Sequence, residues 1–342
     1  MAQYMMFEPA FWKTFVTPDR YSYDQIPDLT GKVAIVTGAN SGIGYNTTVG
    51  LAANGCHVIM ACRSEAKCNE AIANIREEIK AKFPNAPKDV KLEFLPVDMN
   101  DLTNVQASAQ AFLKKGLPLH ILINNSGIGG SYWELSADGI EQQFAVNHLG
   151  PFAFTLALLD KLKESQPSRI AVVSSLSYEG VVATGIDVEE IRTDSESKLT
   201  PDVRYARSKF ANILFAKALA RRLSNEAVYC NVLHPGIVRT PMTTGRKMEE
   251  NLSFGRRFHY YFRKSFFYVT GMPSDRGALT QLYCATSPEI ETDNVRGKFF
   301  IPVANLIPTA PILDDEEKQE ELWKFSEEII EQKLKEAKAR TA

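Results

Sequence analysis

Two residues that could carry proton chemistry, Tyr205 and Lys209, lie four positions apart in the segment YARSK. On an α-helix this spacing places both side chains on one face, where an ammonium group can act on a phenol. A free phenol has a pKa of about 10, so it is a poor acid or base near neutral pH unless a nearby positive charge lowers that pKa. The pair therefore predicts a tyrosine that gives or takes a proton with the help of a lysine.

The same Tyr-x-x-x-Lys spacing occurs again at Tyr260 and Lys264, so the spacing alone is not specific. Tyr205 begins a strongly apolar helical segment and follows a β-rich run that ends in Ser174 and Ser175. Tyr260 lies in a segment rich in aromatic and basic residues, where a surface role is expected. We therefore predict the chemistry at Tyr205, with a serine hydroxyl close by to hold a substrate oxygen.

A glycine-rich turn at 37–44 connects the β-rich run at 33–38 to a helical segment. Glycine permits a tight turn and lets backbone N–H groups approach a pyrophosphate, and the N-terminus of the next helix adds about half a positive charge. The turn therefore predicts a dinucleotide site. Its expected members are Gly38, Asn40, Ser41, Gly42, Ile43 and Gly44.

The second β-rich run ends at Cys62, close to the roughly 20-residue offset at which such sites contact the adenosine ribose. An acidic residue there would repel an added phosphate, but the sequence has Cys62 followed by Arg63, whose guanidinium suits a 2′-phosphate. This predicts NADP(H) rather than NAD(H), unless Arg63 is an ordinary solvated charge at a helix start. Asp98 is expected either to accept from the adenine amino group or to cap the helix that begins near Leu102.

The elements that must position these residues follow a simple alternation. Beyond Lys32, helical segments separate β-rich runs whose odd and even positions are both largely apolar. These runs lie at 33–38, 57–62, 91–97, 120–127, 169–175 and 228–236. Strands buried on both faces and separated by helices are typical of a parallel sheet with helices on each side. The sequence therefore predicts an α/β fold, a single doubly wound Rossmann-type domain with about seven strands.

This domain is expected at 31–303, with an N-terminal extension at 1–30 and a C-terminal extension at 304–342 that carries a helix. The aromatic segment 1–16 lacks the basic start of a signal peptide and is expected to pack over the domain or its substrate entrance, with a membrane surface as the alternative. The segment 242–273 mixes aromatic with basic residues. It predicts a lid over an apolar substrate, a membrane-binding surface, or a helix pair that covers the core.

The composition argues against several other classes of protein. With 44% hydrophobic and 23% charged residues, the 342-residue chain is typical of globular proteins, and its net charge of −2 offers no basic field for nucleic acid. The five cysteines and five histidines lack metal-binding spacing, and the cysteines suit a reducing compartment. We therefore expect a cytoplasmic protein without metal or nucleic acid, while peripheral membrane contact through either aromatic segment stays open.

In their order along the chain, the motifs resemble those of the short-chain dehydrogenase/reductase family. They are the turn at 37–44, Asn124-Asn125-Ser126-Gly127, Asn147, Ser175, Tyr205-x-x-x-Lys209 and Pro235-Gly236. The dipeptide Cys62-Arg63 and the long stretch between Ser175 and Tyr205 are most similar to the retinol dehydrogenase-like branch. The family usually has alanine where this chain has Ser126.

The resemblance implies further roles. Ser175, rather than Ser174, matches the serine that holds the substrate oxygen, and Asn147 matches an asparagine that anchors a proton-relaying water near Lys209; a helix-kink asparagine is the alternative. Thr240 would reach the nicotinamide carboxamide or else cap the next helix. The remaining residues that the resemblance assigns to the cofactor are Asp98, Met99, Asn125, Gly127, Tyr205, Lys209, Pro235, Gly236 and Val238.

These features predict an NADP(H)-dependent oxidoreductase that interconverts a carbonyl and an alcohol on an apolar, medium-to-large substrate such as a retinoid, sterol, aldehyde or polyketide-like ketone. An epimerase or dehydratase on the same fold is one alternative, although its relatives usually have a shorter glycine spacing. An NADPH-binding sensor without turnover is another, against which the intact Ser175, Tyr205 and Lys209 argue. The resemblance leaves assembly into a homo-oligomer open.

Overall fold

The computed structural model describes residues 9–129, 133–188, 191, 199–239 and 271–341. The strands are β1 (Val33–Thr37), β2 (His57–Cys62), β3 (Leu92–Pro96), β4 (Ile121–Asn124), β5 (Ser168–Val173), β6 (Val228–Leu233), β7 (Phe299–Ile301) and β8 (Asn305–Ile307). The principal helices are α1 (Pro9–Val16), α2 (Gly42–Ala53), α3 (Glu65–Lys82), α4 (Leu102–Leu113), α5 (Gly150–Glu164), α6 (Pro201–Arg222), α7 (Ser274–Thr286) and α8 (Glu316–Thr341).

The strands form one sheet in the order β3-β2-β1-β4-β5-β6-β7-β8. Strands β1 to β7 pair in parallel, and β8 pairs with β7 in the antiparallel direction. The strand order reverses between β1 and β4, which leaves a crevice beyond their carboxyl ends. The predicted doubly wound α/β fold is therefore confirmed, and an antiparallel eighth strand extends the sheet beyond the predicted number.

The hydrophobic core has two parts because successive strand residues point to opposite faces of the sheet. Ile35 and Leu122 belong to one cluster, which α4, α5, α6 and α8 cover. Val36 and Ile123 belong to the other, which α2, α3 and α7 cover. Strands β1 and β4 are buried at every position, so the turns at their carboxyl ends start from a rigid base.

Side-chain caps fix where the helices beside the crevice begin. Thr200 caps α6 with Pro201 in the first turn, a combination that satisfies a free N–H group and presets the backbone. Asp101 caps α4 by accepting from the Asn104 N–H at 3.0 Å. The alternative that Asp98 caps this helix is therefore wrong, because Asp101 occupies the cap position.

The C-terminal helix α8 packs on α6, and its Leu322, Phe325 and Ile329 are buried. Lys217 on α6 reaches Asp314, just before α8, at 2.6 Å. The Arg20 N–H donates to Val303 O at 3.1 Å, which ties the N-terminal segment to the turn between β7 and β8. The predicted domain boundaries stay predictions.

Several predictions concern parts of the chain outside the described residues. Residues 1–8 of the N-terminal segment and 240–270 of the predicted lid lie there, and the latter include Thr240, Tyr260 and Lys264. Within the described residues, no helix has both the length and the apolar character needed to cross a bilayer. The roles of both aromatic segments therefore stay predictions.

Candidate active site

The turn between β1 and α2 has a backbone conformation that depends on glycine. Gly38 and Gly42 have φ angles of +66° and +56°, in the left-handed region that side chains disfavour. A Cβ at Gly44 would lie 2.6 Å from Asn125 Nδ2. The turn and the first residues of α2 line an open cleft, so the positive end of the helix dipole faces this cleft and favours an anion there.

The end of β1 and the end of β4 are locked together by Thr37 and Asn125. Thr37 Oγ1 accepts from the N–H groups of Asn125 at 3.0 Å and Ser126 at 2.9 Å, and Asn125 Nδ2 donates to Thr37 O at 2.8 Å. The short polar segment after β4 therefore supports the glycine-rich turn directly.

The cleft beyond the carboxyl ends of the strands has a volume of about 780 Å³. Tyr205 and Lys209 line it, whereas Asn147 and Ser175 are not among its described lining residues. All described residues that were predicted to bind the cofactor line it, namely Gly38, Asn40, Ser41, Gly42, Ile43, Gly44, Arg63, Asp98, Met99, Asn125, Gly127, Tyr205, Lys209, Pro235, Gly236 and Val238.

The charges at one end of the cleft come from Arg63 and Asp98. Arg63 is exposed directly after β2, next to the buried Cys62. Asp98 Oδ1 accepts from the Asn100 N–H at 3.0 Å. Asp98 is the acidic residue among the described lining residues, and Arg63 and Lys209 are the basic ones. The position directly after β2 therefore carries a basic side chain, and the acidic residue of this part of the wall comes from the end of the neighbouring strand β3.

Helix α6 presents Tyr205 and Lys209 on one face, as their spacing predicts. Lys209 Nζ lies 5.6 Å from the centre of the Tyr205 ring and donates to Val173 O at 3.0 Å. Lys209 is 3% exposed, and this burial lowers its pKa to about 8. The amine is therefore held in one place beside the phenol, in a setting that disfavours its charge.

The two serines after β5 differ in the use of their hydroxyl groups. Ser174 Oγ donates to Lys209 O at 2.6 Å, so its proton is committed to the α6 backbone. Ser175 Oγ accepts from the Ser177 N–H at 3.2 Å, an interaction that leaves the hydroxyl proton for another acceptor. Ser174 is the one that lines the cleft, but the hydrogen bonds favour Ser175 as a donor to substrate.

Asn147 lies in a π-helical turn, Ala145–Leu149, that leads into α5. Its Oδ1 accepts from the Ile128 N–H at 2.7 Å, and its Nδ2 donates to Ile128 O at 2.8 Å and Ser208 Oγ at 2.9 Å. A Cβ on Gly127 would lie 3.1 Å from Asn147 Oδ1 and 3.4 Å from Lys209 Nζ. Asn147 thus bonds backbone, as the alternative interpretation expected, and also lies close to Lys209.

Other residues at the site had no role assigned from the sequence. Gln142 and Val146 line the cleft and are four positions apart on the helical path into Asn147, so helical spacing could have indicated them. Ser126 Oγ is buried at the cleft wall without a hydrogen-bond partner among the described residues. His234 is buried near Lys209, and burial lowers the pKa of this histidine to about 3.

The described residues contain no group of three or more His, Cys, Asp or Glu side chains that could hold a metal ion.

The family model for short chain dehydrogenases matches residues 32–185 and 195–251. The chain belongs to the short-chain dehydrogenase/reductase family. Members of this family bind nicotinamide cofactors, and this chain is an oxidoreductase of the retinol dehydrogenase-like branch.

Several similar proteins span most of this chain. An uncharacterized oxidoreductase of Schizosaccharomyces pombe is 35% identical over 326 residues, which cover 93% of this chain and 90% of that protein. Retinol dehydrogenase 14 of Mus musculus is 39% identical over 306 residues, which cover 88% and 86%. The crystal structure of an uncharacterized protein from Mycobacterium paratuberculosis has a TM-score of 0.67 at 25% identity and covers 91% of this chain and 97% of that one.

Proposed function

We propose that this chain is an NADP(H)-dependent enzyme that interconverts a carbonyl and an alcohol, with Tyr205 as the general acid and base. The observation that carries the proposal is the buried amine of Lys209, which Val173 O holds beside Tyr205 at the wall of the cleft. A bound nicotinamide would supply or accept the hydride, and the residues of the chain would manage the proton.

In the direction of reduction, Tyr205 gives its phenolic proton to the carbonyl oxygen of the substrate. In the direction of oxidation, it takes the proton of the alcohol. The charge of Lys209 stabilises the phenolate, because an opposite charge nearby favours the ionised form. Ser175 donates its hydroxyl proton to the substrate oxygen and so orients the reacting group, and the amide of Asn147 fixes the backbone around Gly127, beside the lysine.

The cleft fits a nicotinamide dinucleotide. The glycine-rich turn leaves backbone N–H groups open at a helix N-terminus, where a pyrophosphate is favoured. The hydroxyl of Ser126, which lines the cleft and has no hydrogen-bond partner among the described residues, suits a polar ligand. Asp98 would accept a hydrogen bond from the adenine amino group. Pro235, Gly236 and Val238 would line the nicotinamide end of the cleft, and Thr240 would reach the carboxamide.

We assign the 2′-phosphate of NADP(H) to Arg63. Replacing it in the variant Arg63→Ala should weaken NADPH binding by about tenfold to a hundredfold, the size expected for charge-assisted hydrogen bonds to a phosphate. NADH binding should change by less than about twofold, since NADH lacks that phosphate. Fluorescence titration of both reduced cofactors measures the two effects.

The matched control is Arg76→Ala, which removes an exposed arginine of α3 that does not line the cleft. It should leave both affinities unchanged. Equal losses of NADPH and NADH affinity in Arg63→Ala would mean that Arg63 does not distinguish the two cofactors.

We further propose an apolar, medium-to-large substrate, such as a retinoid, sterol, aldehyde or polyketide-like ketone. Ile128, Val146 and Val238 give part of the cleft an apolar wall, and the mouse relative at 39% identity is named a retinol dehydrogenase. We also propose that the protein is cytoplasmic, that it contacts a membrane peripherally through 1–16 or 242–273, and that it forms a homo-oligomer.

The test of this function is the consumption of NADPH, followed by its absorbance, with a panel of carbonyl compounds. The panel contains a retinal, a steroid ketone, a long-chain aldehyde and acetone as the small polar control. We expect turnover of at least one of the apolar compounds. The kcat/KM for acetone should be far lower than the kcat/KM for that compound. Tight NADPH binding without consumption of any carbonyl would favour the sensor instead.

A further inference from the structure

A series of buried hydrogen bonds connects the C-terminal helix α8 to the carbonyl that holds Lys209. Ser326 Oγ on α8 lies 3.0 Å from His148 Nε2, and His148 Nδ1 lies 3.3 Å from Asn212 Oδ1. Asn212 Nδ2 then donates at 3.2 Å to Val173 O, which also accepts from Lys209 Nζ at 3.0 Å. The side chains of this series are all buried.

The chemistry of the groups fixes the direction of each hydrogen bond. Val173 O can only accept, so the amide of Asn212 must turn its NH₂ group toward that carbonyl and its oxygen toward His148. His148 therefore carries its proton on Nδ1, which leaves Nε2 to accept from the hydroxyl of Ser326. This hydroxyl is also 2.8 Å from Leu322 O, so the two acceptors share its proton.

The ring of His148 is surrounded by aromatic rings, so its polar atoms depend on the two hydrogen bonds that it makes. The rings of Phe144, Phe152 and Phe215 lie 5.0, 5.8 and 6.1 Å from it, centre to centre. Burial lowers the pKa of His148 to about 3, so the imidazole is neutral. A phenylalanine would suit such an apolar cluster equally well, whereas a buried polar ring is favourable only when its nitrogens are bonded.

We infer that His148 and Asn212 are positioning residues for Lys209, and that α8 contributes to the active site through Ser326. This inference rests on the proposed function, in which Lys209 supports Tyr205. Asn212 holds the Val173 carbonyl that anchors the amine, and His148 fixes the orientation of the Asn212 amide. His148 also directly follows Asn147 in the π-helical turn. Asn147 and Lys209 are the two residues close to Gly127, so His148 is linked to one by the chain and to the other by hydrogen bonds.

The test compares two variants whose side chains are of comparable size to histidine but differ in polarity. His148→Phe retains the packing and removes both hydrogen bonds, so kcat should fall by about tenfold or more, as expected when a reacting group is misplaced by a fraction of an ångström. KM and the Kd of NADPH should stay within about twofold of wild type. His148→Gln can donate to Asn212 and accept from Ser326, so it should recover most of the lost kcat.

A control variant and a double variant separate positioning from stability. Ser168→Ala removes a buried serine that, like Ser326, donates to a helix carbonyl, but at the amino end of β5. It should leave kcat unchanged, whereas Ser326→Ala should lower kcat in the wild type and have little further effect on His148→Phe, because linked residues are not additive. A kcat per folded molecule equal to wild type in His148→Phe, or equal losses in His148→Phe and His148→Gln, would overturn the inference.

A readout without turnover comes from ¹⁵N NMR of the protein with labelled histidine. We expect a neutral His148 ring protonated on Nδ1 from about pH 5 to about pH 8, and a ring protonated on Nε2 would contradict the series of hydrogen bonds. Failure of the proposed function itself looks different, since wild type and Tyr205→Phe would then turn over alike.

Discussion

Replacing Tyr205 with phenylalanine is expected to lower kcat by about 10³-fold, within the range that general acid and base groups contribute. The variant keeps the ring beside Lys209 but loses the hydroxyl that gives or takes the proton. The cleft loses one oxygen atom and no charge, so the Kd of NADPH should stay within about twofold of wild type. Single-turnover measurement with the best carbonyl of the panel isolates this chemical step.

The control is Tyr229→Phe, which removes a phenol near the amino end of β6. The cleft lies beyond the carboxyl ends of the strands, and Tyr229 does not line it. It should turn over like wild type. Turnover of Tyr205→Phe at the rate of wild type would remove Tyr205 from the catalytic role, and a large loss of NADPH affinity would show that its main role is binding.

Replacing Lys209 with methionine should lower kcat by about 10²-fold to 10³-fold and at the same time stabilise the folded protein at neutral pH. The activity falls because no positive charge remains beside the phenolate. The stability rises because the folded protein no longer has to bury an ammonium group, and Val173 O keeps the hydrogen bond from Asn212 at 3.2 Å.

The pH dependence of this gain follows from the pKa of Lys209, which is 10.5 for the free side chain and about 8 in the folded protein. Below pH 8 both states are protonated, and the wild type carries the full cost of the buried charge. Between the two pKa values the unfolded chain binds more protons, so the wild type becomes more stable as pH rises. The advantage of Lys209→Met, about 1 to 3 kcal/mol at pH 7, should therefore shrink as pH rises from 8 and vanish by about pH 11.

Urea unfolding of wild type and Lys209→Met at both pH values measures this difference in the free energy of unfolding. The conservative variant Lys209→Arg is the comparison, since arginine stays charged and cannot relieve the cost of burial. A methionine variant that is less stable than wild type at pH 7 would show that the amine contributes more through its contacts than it costs by burial.

The fold could be predicted where the signal is local and long enough. Strands such as Val33–Thr37 and His57–Cys62 are continuous apolar runs, which predict buried parallel strands whatever the rest of the chain does. The last two strands, Phe299–Ile301 and Asn305–Ile307, have only 3 residues each, too few for a periodic pattern. Their place in the sheet depends on the pairing of β7 with β6, which lies far away in sequence, while β8 pairs only with β7.

The candidate site shows the same division. Tyr205 and Lys209, and the glycine-rich turn, are recognisable because their partners are within one helical turn or one loop. The sequence offered Asp98 as a possible cap of α4 because it precedes that helix. Asp101 also precedes α4, and only the geometry shows that Asp101 is the cap. Ser326 and His148 are 178 positions apart, and no spacing rule predicts that they share a hydrogen bond.

The lock between Thr37 and the end of β4 has a thermodynamic consequence. Because three hydrogen bonds already hold the glycine-rich turn in shape, a nucleotide meets a surface that has little conformational entropy left to lose. Calorimetry should therefore record a heat capacity change that reflects the buried surface of the ligand alone, without the larger change that accompanies folding of a loop. Thr37→Val, which keeps the shape of the side chain and removes its hydroxyl, should convert this rigid association into one that must order the turn each time a nucleotide arrives.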